Sequence, residues 1–196
     1  MMNRREALSR VAIIMGGTVL GAEAFLSGCK TATTGVTFTQ ENIAFLDEVA
    51  ETILPATKTP GAKEAKVGEF MKVMVNDCYE AKDQKIFMEG MEKLEEASKK
   101  MNNKTFMESD ATQRHNLLVA LDKEAKEEAA KAADEKKKDP NKEIPKHYFS
   151  MIKELTLTGF FTSEVGATKA LRYVAVPGKF DGSAPYVKGE KAWATS

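Results

Sequence analysis

Apolar residues recur at three- and four-residue steps in successive segments of this chain, and this spacing restricts the fold more than any other feature. Thr39 is a suitable N-cap for the first segment, and Pro55 ends it. No segment shows the comparable alternation of apolar and polar residues that is typical of strands. We therefore predict an all-α protein, a single helical domain of about five to six helices. The predicted inward faces are Ile43, Leu46, Val49, Ala50 and Ile53; Val67, Phe70, Met71, Met74 and Cys78; Phe87, Met91, Leu94, Ala97 and Met101; Leu117, Leu118, Leu121 and Ala125; Tyr148, Phe149, Ile152, Leu155 and Leu157; and, after a cap at Ser163, Val165, Ala170 and Leu171.

Residues 122–138 consist almost entirely of Ala, Glu, Lys and Asp. This composition favours helix but offers little apolar surface to bury, so we predict a solvated helical extension that frays. A coiled-coil arm is the alternative, and the segment lacks the apolar heptads that such an arm needs.

The first 28 residues have the pattern of an export signal. A basic start is followed by an apolar stretch at residues 11–26 and by the run Leu26-Ser27-Gly28-Cys29. The apolar stretch is shorter than the roughly 20 residues that span a bilayer, and it contains Glu23. The run resembles a bacterial lipobox, which predicts a signal peptide at 1–28, lipidation of Cys29 and a lipidated tether at 29–37.

The pair Arg4-Arg5 indicates the route of export. Residues 3–8, Asn-Arg-Arg-Glu-Ala-Leu, look like a twin-arginine signal with Ala7 where the pattern usually has Phe. That route carries folded proteins. We expect an exported, periplasmic protein held to the membrane through Cys29, and Lys30 after the cysteine favours the outer membrane.

Composition excludes several classes of protein. Without residues 1–28 the chain has 26 basic and 27 acidic residues, so it has no global positive charge with which to attract nucleic acid. Cys29 and Cys78 are the only cysteines. With Cys29 lipidated no intrachain disulfide can form, and we predict that Cys78 is a buried thiol.

Residues of the kinds that carry out catalysis are sparse. The chain contains two histidines, His115 and His147, and a histidine-based metal site would need both of them with carboxylates from distant segments. We interpret both as helix-surface residues and the pair Glu127-Glu128 as part of a solvated face. The sequence also lacks a Cys-x-x-Cys-His haem motif and a Gly-rich nucleotide loop. We therefore predict no catalytic, cofactor or metal site in this chain.

The tail at 174–196 differs in character from the helical domain at 38–173. It combines Pro and Gly with Phe180, Tyr186, Val187 and Trp193, and it shows no helical or strand period. Aromatic side chains gain roughly 25 cal/mol per Å² of buried apolar area, yet this segment cannot fold on itself. It must therefore lie either on the helices of this chain or on a partner.

Several segments carry a resemblance to a known family. These are Glu51-Thr-Ile-Leu-Pro-Ala-Thr-Lys-Thr-Pro-Gly-Ala, Val67-Gly-Glu-Phe, Leu155-Thr-Leu-Thr-Gly-Phe-Phe-Thr-Ser-Glu-Val-Gly and Leu171-Arg-Tyr-Val-Ala-Val-Pro-Gly. Together they resemble the gluconate 2-dehydrogenase subunit 3 family, over residues 38–193. The Lys-rich residues 123–142 lie outside these motifs.

The resemblance implies a small, non-catalytic subunit of a membrane-bound periplasmic dehydrogenase. In that family the large subunit is an FAD-containing flavoprotein of the glucose-methanol-choline type that oxidises sugars or sugar acids. A cytochrome c subunit with haem c often passes the electrons on. The small subunit assists export, maturation and membrane attachment of the large one, so no cofactor is expected in this chain.

The residues expected to contact that partner lie in the motif segments without regular structure. The alternative role for each is structural, because Gly and Pro serve turns and Phe serves cores. A free-standing helical envelope lipoprotein and a small enzyme using His with a carboxylate are the alternative functions. The contact candidates are Thr59, Pro60 and Gly61; Gly159, Phe160 and Phe161; and Pro177, Gly178, Phe180 and Tyr186.

Overall fold

Residues 36–176, 178–179, 182–183 and 185–194 are described by a computed structural model of the chain. The helices are α1 (Gln40–Ile53), α2 (Val67–Cys78), α3 (Ala81–Asn102), α4 (Ala111–Lys138) and α5 (Tyr148–Thr162), followed by a π-helical turn at Gly166–Ala170. Within these residues there is no strand, and an isolated parallel bridge joins Arg172 to Trp193. The prediction of an all-α fold is confirmed.

Side-chain caps fix where the helices begin. The Thr39 hydroxyl accepts the N–H of Asn42 at 3.2 Å, and the Asn42 side chain accepts the N–H of Thr39 at 2.9 Å. Asp110 and Gln113 form the same reciprocal pair at the start of α4. Each pair satisfies two backbone N–H groups that the first helical turn leaves without a partner. The cap that the sequence predicts at Thr39 is therefore confirmed.

Helix α5 lies at the centre of the fold and contacts α1, α2, α3, α4 and the π-helical turn. It is apolar on most of its circumference, as expected for a helix covered on all sides. Its one fully buried polar side chain, Thr156, donates its hydroxyl to the carbonyl oxygen of Ile152 at 2.8 Å. The buried residues are Tyr148, Phe149, Met151, Ile152, Leu155, Thr156, Gly159 and Phe160.

The first turn of α5 packs closely on α3 because α3 has a glycine at the contact. A Cβ atom built on Gly90 would lie 2.4 Å from the Tyr148 Cβ and 2.7 Å from its Cγ. These distances are far shorter than van der Waals contact. Gly90 therefore sets the spacing between the two helices at this point.

A mostly buried ion pair joins α1 to α4. The Arg114 guanidinium contacts the Glu48 carboxylate, and it also donates to the carbonyl oxygens of Phe106 and Met107 at 2.9 and 2.7 Å. The Lys63 ammonium contacts the same carboxylate. Burial raises the pKa of Glu48, but the Lys63 and Arg114 charges outweigh it and hold the pKa below its ordinary value.

Three predicted inward-facing residues lie at the surface instead, and one of them is Leu157 of α5, which is 37% exposed. Cys78 is exposed because it is the last residue of α2, where the chain turns toward α3. Met101 is 52% exposed, because Ser98 is the last buried residue of α3 and the apolar stripe continues past the packed part of the helix. The prediction of a buried Cys78 thiol is wrong.

Helix α4 continues without interruption through the Lys-rich segment to Lys138. Its last buried residue is Ala125, and every later residue of α4 is exposed except the half-buried Ala132. Lys136, Lys137 and Lys138 occupy the last turn, where cations interact favourably with the helix dipole. The extension is helical and solvated, as its composition predicts.

Substituting Gly90 by Ala should destabilise the fold. Alanine has a helix propensity about 1 kcal/mol better than glycine, but its methyl group would overlap Tyr148. We expect a net loss of about 1–3 kcal/mol in the free energy of unfolding, measured by urea denaturation. The exposed substitution Glu92→Ala on the same helix is the control. A Gly90→Ala variant as stable as the parent would contradict this packing argument.

Replacing Glu48 by Gln should lower stability in a pH-dependent way. Because the folded pKa of Glu48 is lowered, the ion pair stabilises the fold above the unfolded pKa of about 4.3 and loses this effect as pH falls through the folded value. We expect Glu48→Gln to be less stable by roughly 1–3 kcal/mol at pH 7, with the difference shrinking below about pH 4. Urea denaturation across pH measures this, with exposed Glu41→Gln as control. A pH-independent difference would argue against the ion pair.

Candidate partner interface

The first motif loop, residues 54–66, is held in shape by Glu51. The Glu51 carboxylate accepts the N–H groups of Ala56 and Lys63, each at 2.9 Å. A Cβ atom on Gly61 would lie 2.3 Å from a Glu51 carboxylate oxygen, so only glycine fits against this carboxylate. Gly61 is buried, whereas Thr59 and Pro60 are half-buried. The structure thus gives Gly61 a role within the loop and leaves Thr59 and Pro60 partly accessible.

The second motif lies at the end of α5 and divides into core and surface residues. A Cβ atom on Gly159 would lie 2.6 Å from the Phe70 ring, and Phe160 is 4% exposed, so both residues pack inside the chain. The Phe161 ring stands edge-on to Phe160, with ring centroids 5.1 Å apart, and is 41% exposed. Of the three contact candidates here, Phe161 alone is exposed.

The motif segments adjoin at one end of the helical domain. Phe70, from the motif segment Val67-Gly-Glu-Phe in α2, packs on Gly159 of α5. Lys169, in the π-helical turn, forms an ion pair with Glu64 of the first loop at 2.5 Å. Lys191 of the tail donates to the carbonyl oxygen of Lys169. Segments far apart in the sequence therefore form one continuous region.

The last described residues of the tail pack on the chain itself at Arg172. The Arg172 N–H donates to Ala192 O at 2.8 Å, and the Ala194 N–H donates to Arg172 O at 2.9 Å. The Arg172 guanidinium lies 4.0 Å from the centroid of the Trp193 ring and pairs with Glu190. Of the two alternatives for the tail, packing on its own chain therefore holds for residues 190–194.

Between Arg172 and Glu190 the described part of the tail exposes apolar side chains. Val176 is 83% exposed and Tyr186 is 88% exposed, and Tyr173, Val174 and Val187 are each close to half exposed. Monomeric proteins rarely leave several such side chains in one segment uncovered. The second alternative, docking on a partner, stays a prediction, and these are the side chains available for it.

The remaining predicted site residues fall into two groups. Gly178 is exposed and has a φ of +29°. Arg4, Arg5, Cys29, Pro177 and Phe180 lie outside the described residues.

The two histidines lie in different surroundings. His115 lines a shallow cleft of about 230 Å³ that also contains Asp122 and Lys153. These two neighbours form an ion pair with each other at 2.5 Å. His147 lies beside Glu124 and Glu128, a grouping that the sequence analysis missed because it considered the adjacent pair Glu127-Glu128. The four-residue spacing of Glu124 and Glu128 is the sequence signal that indicates a shared helix face.

A larger cleft of about 590 Å³ lies between α3, the end of α4 and the segment that leads into α5. Its charged residues largely pair with one another, as Lys82 does with Glu143 at 3.4 Å and Lys146 with Glu154 at 2.7 Å. Such pairing leaves few free groups to bind a charged ligand.

Among the described helices, none has both the length and the apolar character that crossing a bilayer requires.

Comparison with known proteins gives one match. The family model for gluconate 2-dehydrogenase subunit 3 matches residues 40–178, more than half of the chain. Neither the curated proteins nor the solved structures contain a match. The matched range begins at the first residue of α1 and includes the first loop, α5 and the π-helical turn.

Proposed function

Because this chain belongs to the gluconate 2-dehydrogenase subunit 3 family, we propose that it is a non-catalytic accessory subunit of a periplasmic, flavin-dependent dehydrogenase. It assists export, maturation and membrane attachment of the FAD-containing catalytic subunit, which is of the glucose-methanol-choline type. A cytochrome c with haem c is a further partner. The observation that carries this proposal is that the family motifs meet at one end of the domain, beside an apolar tail that the chain leaves exposed.

The exposed part of the tail has the composition of a binding surface. Tyrosine and tryptophan supply a large share of the energy at protein interfaces, because each buries much apolar area with few rotatable bonds. Tyr186 is the most exposed large apolar side chain among the described residues, and Phe161 is exposed at the end of α5. We assign these two residues, with Val176, as the anchors that contact the catalytic subunit.

The N-terminal signal supplies the export function. A twin-arginine signal carries folded cargo, and flavin insertion requires a folded protein. This chain would therefore take a flavin-loaded catalytic subunit through the membrane and hold it there through lipidated Cys29. A single acyl chain binds membranes only marginally, so stable attachment requires more than one chain on that cysteine.

Removal of the Tyr186 side chain should weaken binding of the catalytic subunit. We would co-express the full chain with a tagged flavoprotein encoded beside it, extract the membranes with detergent and measure how much chain is recovered per flavin. A hot-spot aromatic residue contributes about 2 kcal/mol or more, so Tyr186→Ala should weaken the complex roughly 30-fold. Its side chain is 88% exposed, so the substitution should leave the fold intact.

The matched control for this experiment is Val119→Ala. Val119 is 54% exposed on α4, outside the motif region, and its truncation should leave recovery unchanged. Failure to recover any flavoprotein with the parent chain would overturn the proposed function and favour a free-standing envelope lipoprotein. Equal recovery with Tyr186→Ala and the parent would instead reject the assignment of the tail as the interface.

Replacing both signal arginines by lysine should block export of the partner. The twin-arginine route depends on the arginine pair, so with Arg4→Lys and Arg5→Lys together the flavin-loaded catalytic subunit should accumulate in the cytoplasm. Arg10→Lys, the same change outside the pair, is the control. Cell fractionation with immunoblotting of the flavoprotein measures the result. A flavoprotein that still reaches the periplasm would show that this chain does not carry it.

A further inference from the structure

Charge is distributed unevenly along this chain, although its total charge is close to zero. The first loop, residues 54–66, and the C-terminal segment, residues 164–194, together contain eight basic and four acidic residues. The rest of residues 29–196 contains 18 basic and 23 acidic residues. Residues 54–66 and 164–194 therefore form a basic end, and the remainder of the chain is acidic.

The ion pairs within the chain leave several lysines of the basic end unpaired. Its other cations are Lys63, which pairs with Glu48; Lys169, which pairs with Glu64; Arg172, which pairs with Glu190; and Lys191, which donates to the carbonyl oxygen of Lys169. Glu164 is the one acidic residue here that lacks a cation among the described residues. The unpaired charge at this end is thus mostly positive. The exposed lysines without an ion-pair partner among the described residues are Lys58, Lys66, Lys179 and Lys188.

Contacts within the chain hold the pieces of the basic end together. The Lys169–Glu64 pair, 2.5 Å between charged atoms, joins the π-helical turn to the first loop. A Cβ atom on Gly166 would lie 1.9 Å from the carbonyl oxygen of Phe160, so only glycine allows the turn that carries Lys169. The Lys66 backbone is fixed by the N–H that it donates to Lys63 O at 3.0 Å and by the buried Val67 that follows it.

The unpaired lysines of the tail are close in sequence to its exposed apolar side chains. Lys188 comes two residues after Tyr186, which is 88% exposed, and Lys179 comes three residues after Val176, which is 83% exposed. Protein interfaces commonly have an apolar centre and a polar or charged rim. Charges on that rim select the partner and accelerate its approach. The basic end has both components.

We propose that the basic end binds an acidic surface of the catalytic subunit, with Asp and Glu side chains facing the unpaired lysines around an apolar site for Tyr186 and Val176. This inference rests on the proposed function, because it takes the flavoprotein as the partner, and it adds the chemistry of the contacted surface. Attraction between lysines and carboxylates would steer the two subunits together and fix their relative orientation.

Anionic lipid is the other surface that attracts lysines. Segments that lie on a membrane surface usually present their apolar side chains as one face of an amphipathic helix. The described part of the tail between residues 171 and 194 contains no helix. Its exposed apolar residues are also continuous with the segments that match the family of dehydrogenase subunits. These observations favour a protein surface.

Charge reversal at two of the lysines tests the proposal. The purified full chain in detergent is titrated against the immobilised flavoprotein encoded beside it. At low ionic strength, Lys58→Glu with Lys188→Glu should weaken binding about 10-fold or more, because attraction becomes repulsion. The matching Lys→Gln double variant, which only removes the charges, should weaken binding about 3-fold. The control is Lys93→Glu with Lys131→Glu, which should leave binding unchanged, since these exposed lysines lie outside the basic end and have no ion-pair partner in the described ranges.

The dependence of binding on salt gives a second measurement that needs no variant. Raising the ionic strength from about 0.05 M to about 0.5 M shortens the range over which charges interact, so parent binding should weaken about 10-fold. The charge-reversed double variant should not lose affinity over the same range. Circular dichroism verifies that each variant has the helix content of the parent.

The possible outcomes separate this inference from the proposed function. Absence of binding by the parent at every ionic strength would overturn both. Binding by the parent that neither charge reversal nor salt weakens would overturn the acidic surface alone. Flotation with vesicles of phosphatidylcholine and phosphatidylglycerol in equal parts tests the lipid alternative. If charge reversal abolished vesicle binding and left flavoprotein binding intact, the lysines would face lipid and the inference would be wrong.

Discussion

The burial of α5 is the constraint on which the rest of the structure depends. This helix contacts every other helix among the described residues, so its position decides where each of them lies. Its close approach to α3 requires Gly90, which leaves room for Tyr148, and Gly159 leaves room for the Phe70 ring of α2. The C-terminal end of α5 leads into the π-helical turn, whose Lys169 pairs with Glu64 of the first loop. The region proposed to contact the partner thus depends on how the central helix packs.

The helices could be predicted from the sequence because their signals are local. A cap at Thr39 and a proline at Pro55 mark the limits of α1, and apolar spacing identifies the faces that pack. The same spacing failed at Leu157, and it failed at Cys78 and Met101 because periodicity does not show where the neighbouring elements end. Two of these three failures lie in the last turn of a helix.

The candidate site was harder to predict than the helices. The sequence does not show whether the atoms packed against a motif glycine belong to a partner or to the chain itself. Gly61 and Gly159 both lack room for a Cβ atom because of atoms within this chain, namely the Glu51 carboxylate and the Phe70 ring. The grouping of Glu124 and Glu128 with His147 is non-local, since the segment after α4 must return for the three to meet. Only the three-dimensional structure shows which atoms pack against each glycine and which distant residues lie together.

The tail combines a fixed base with an exposed middle, and this arrangement suits a subunit that must bind a partner. Backbone hydrogen bonds and the Arg172–Trp193 contact hold residues 190–194 against the end of the helical domain. Because residues 190–194 are held against Arg172, Val176 and Tyr186 would lose less conformational freedom on docking to a partner. A smaller part of the free energy gained by burying them would then be offset, so the binding affinity would be higher. A tail without that closure would present the same side chains but would bind less tightly. If the tail docks on a partner as proposed, the Arg172–Trp193 contact would therefore contribute to recognition by holding residues 190–194 in place.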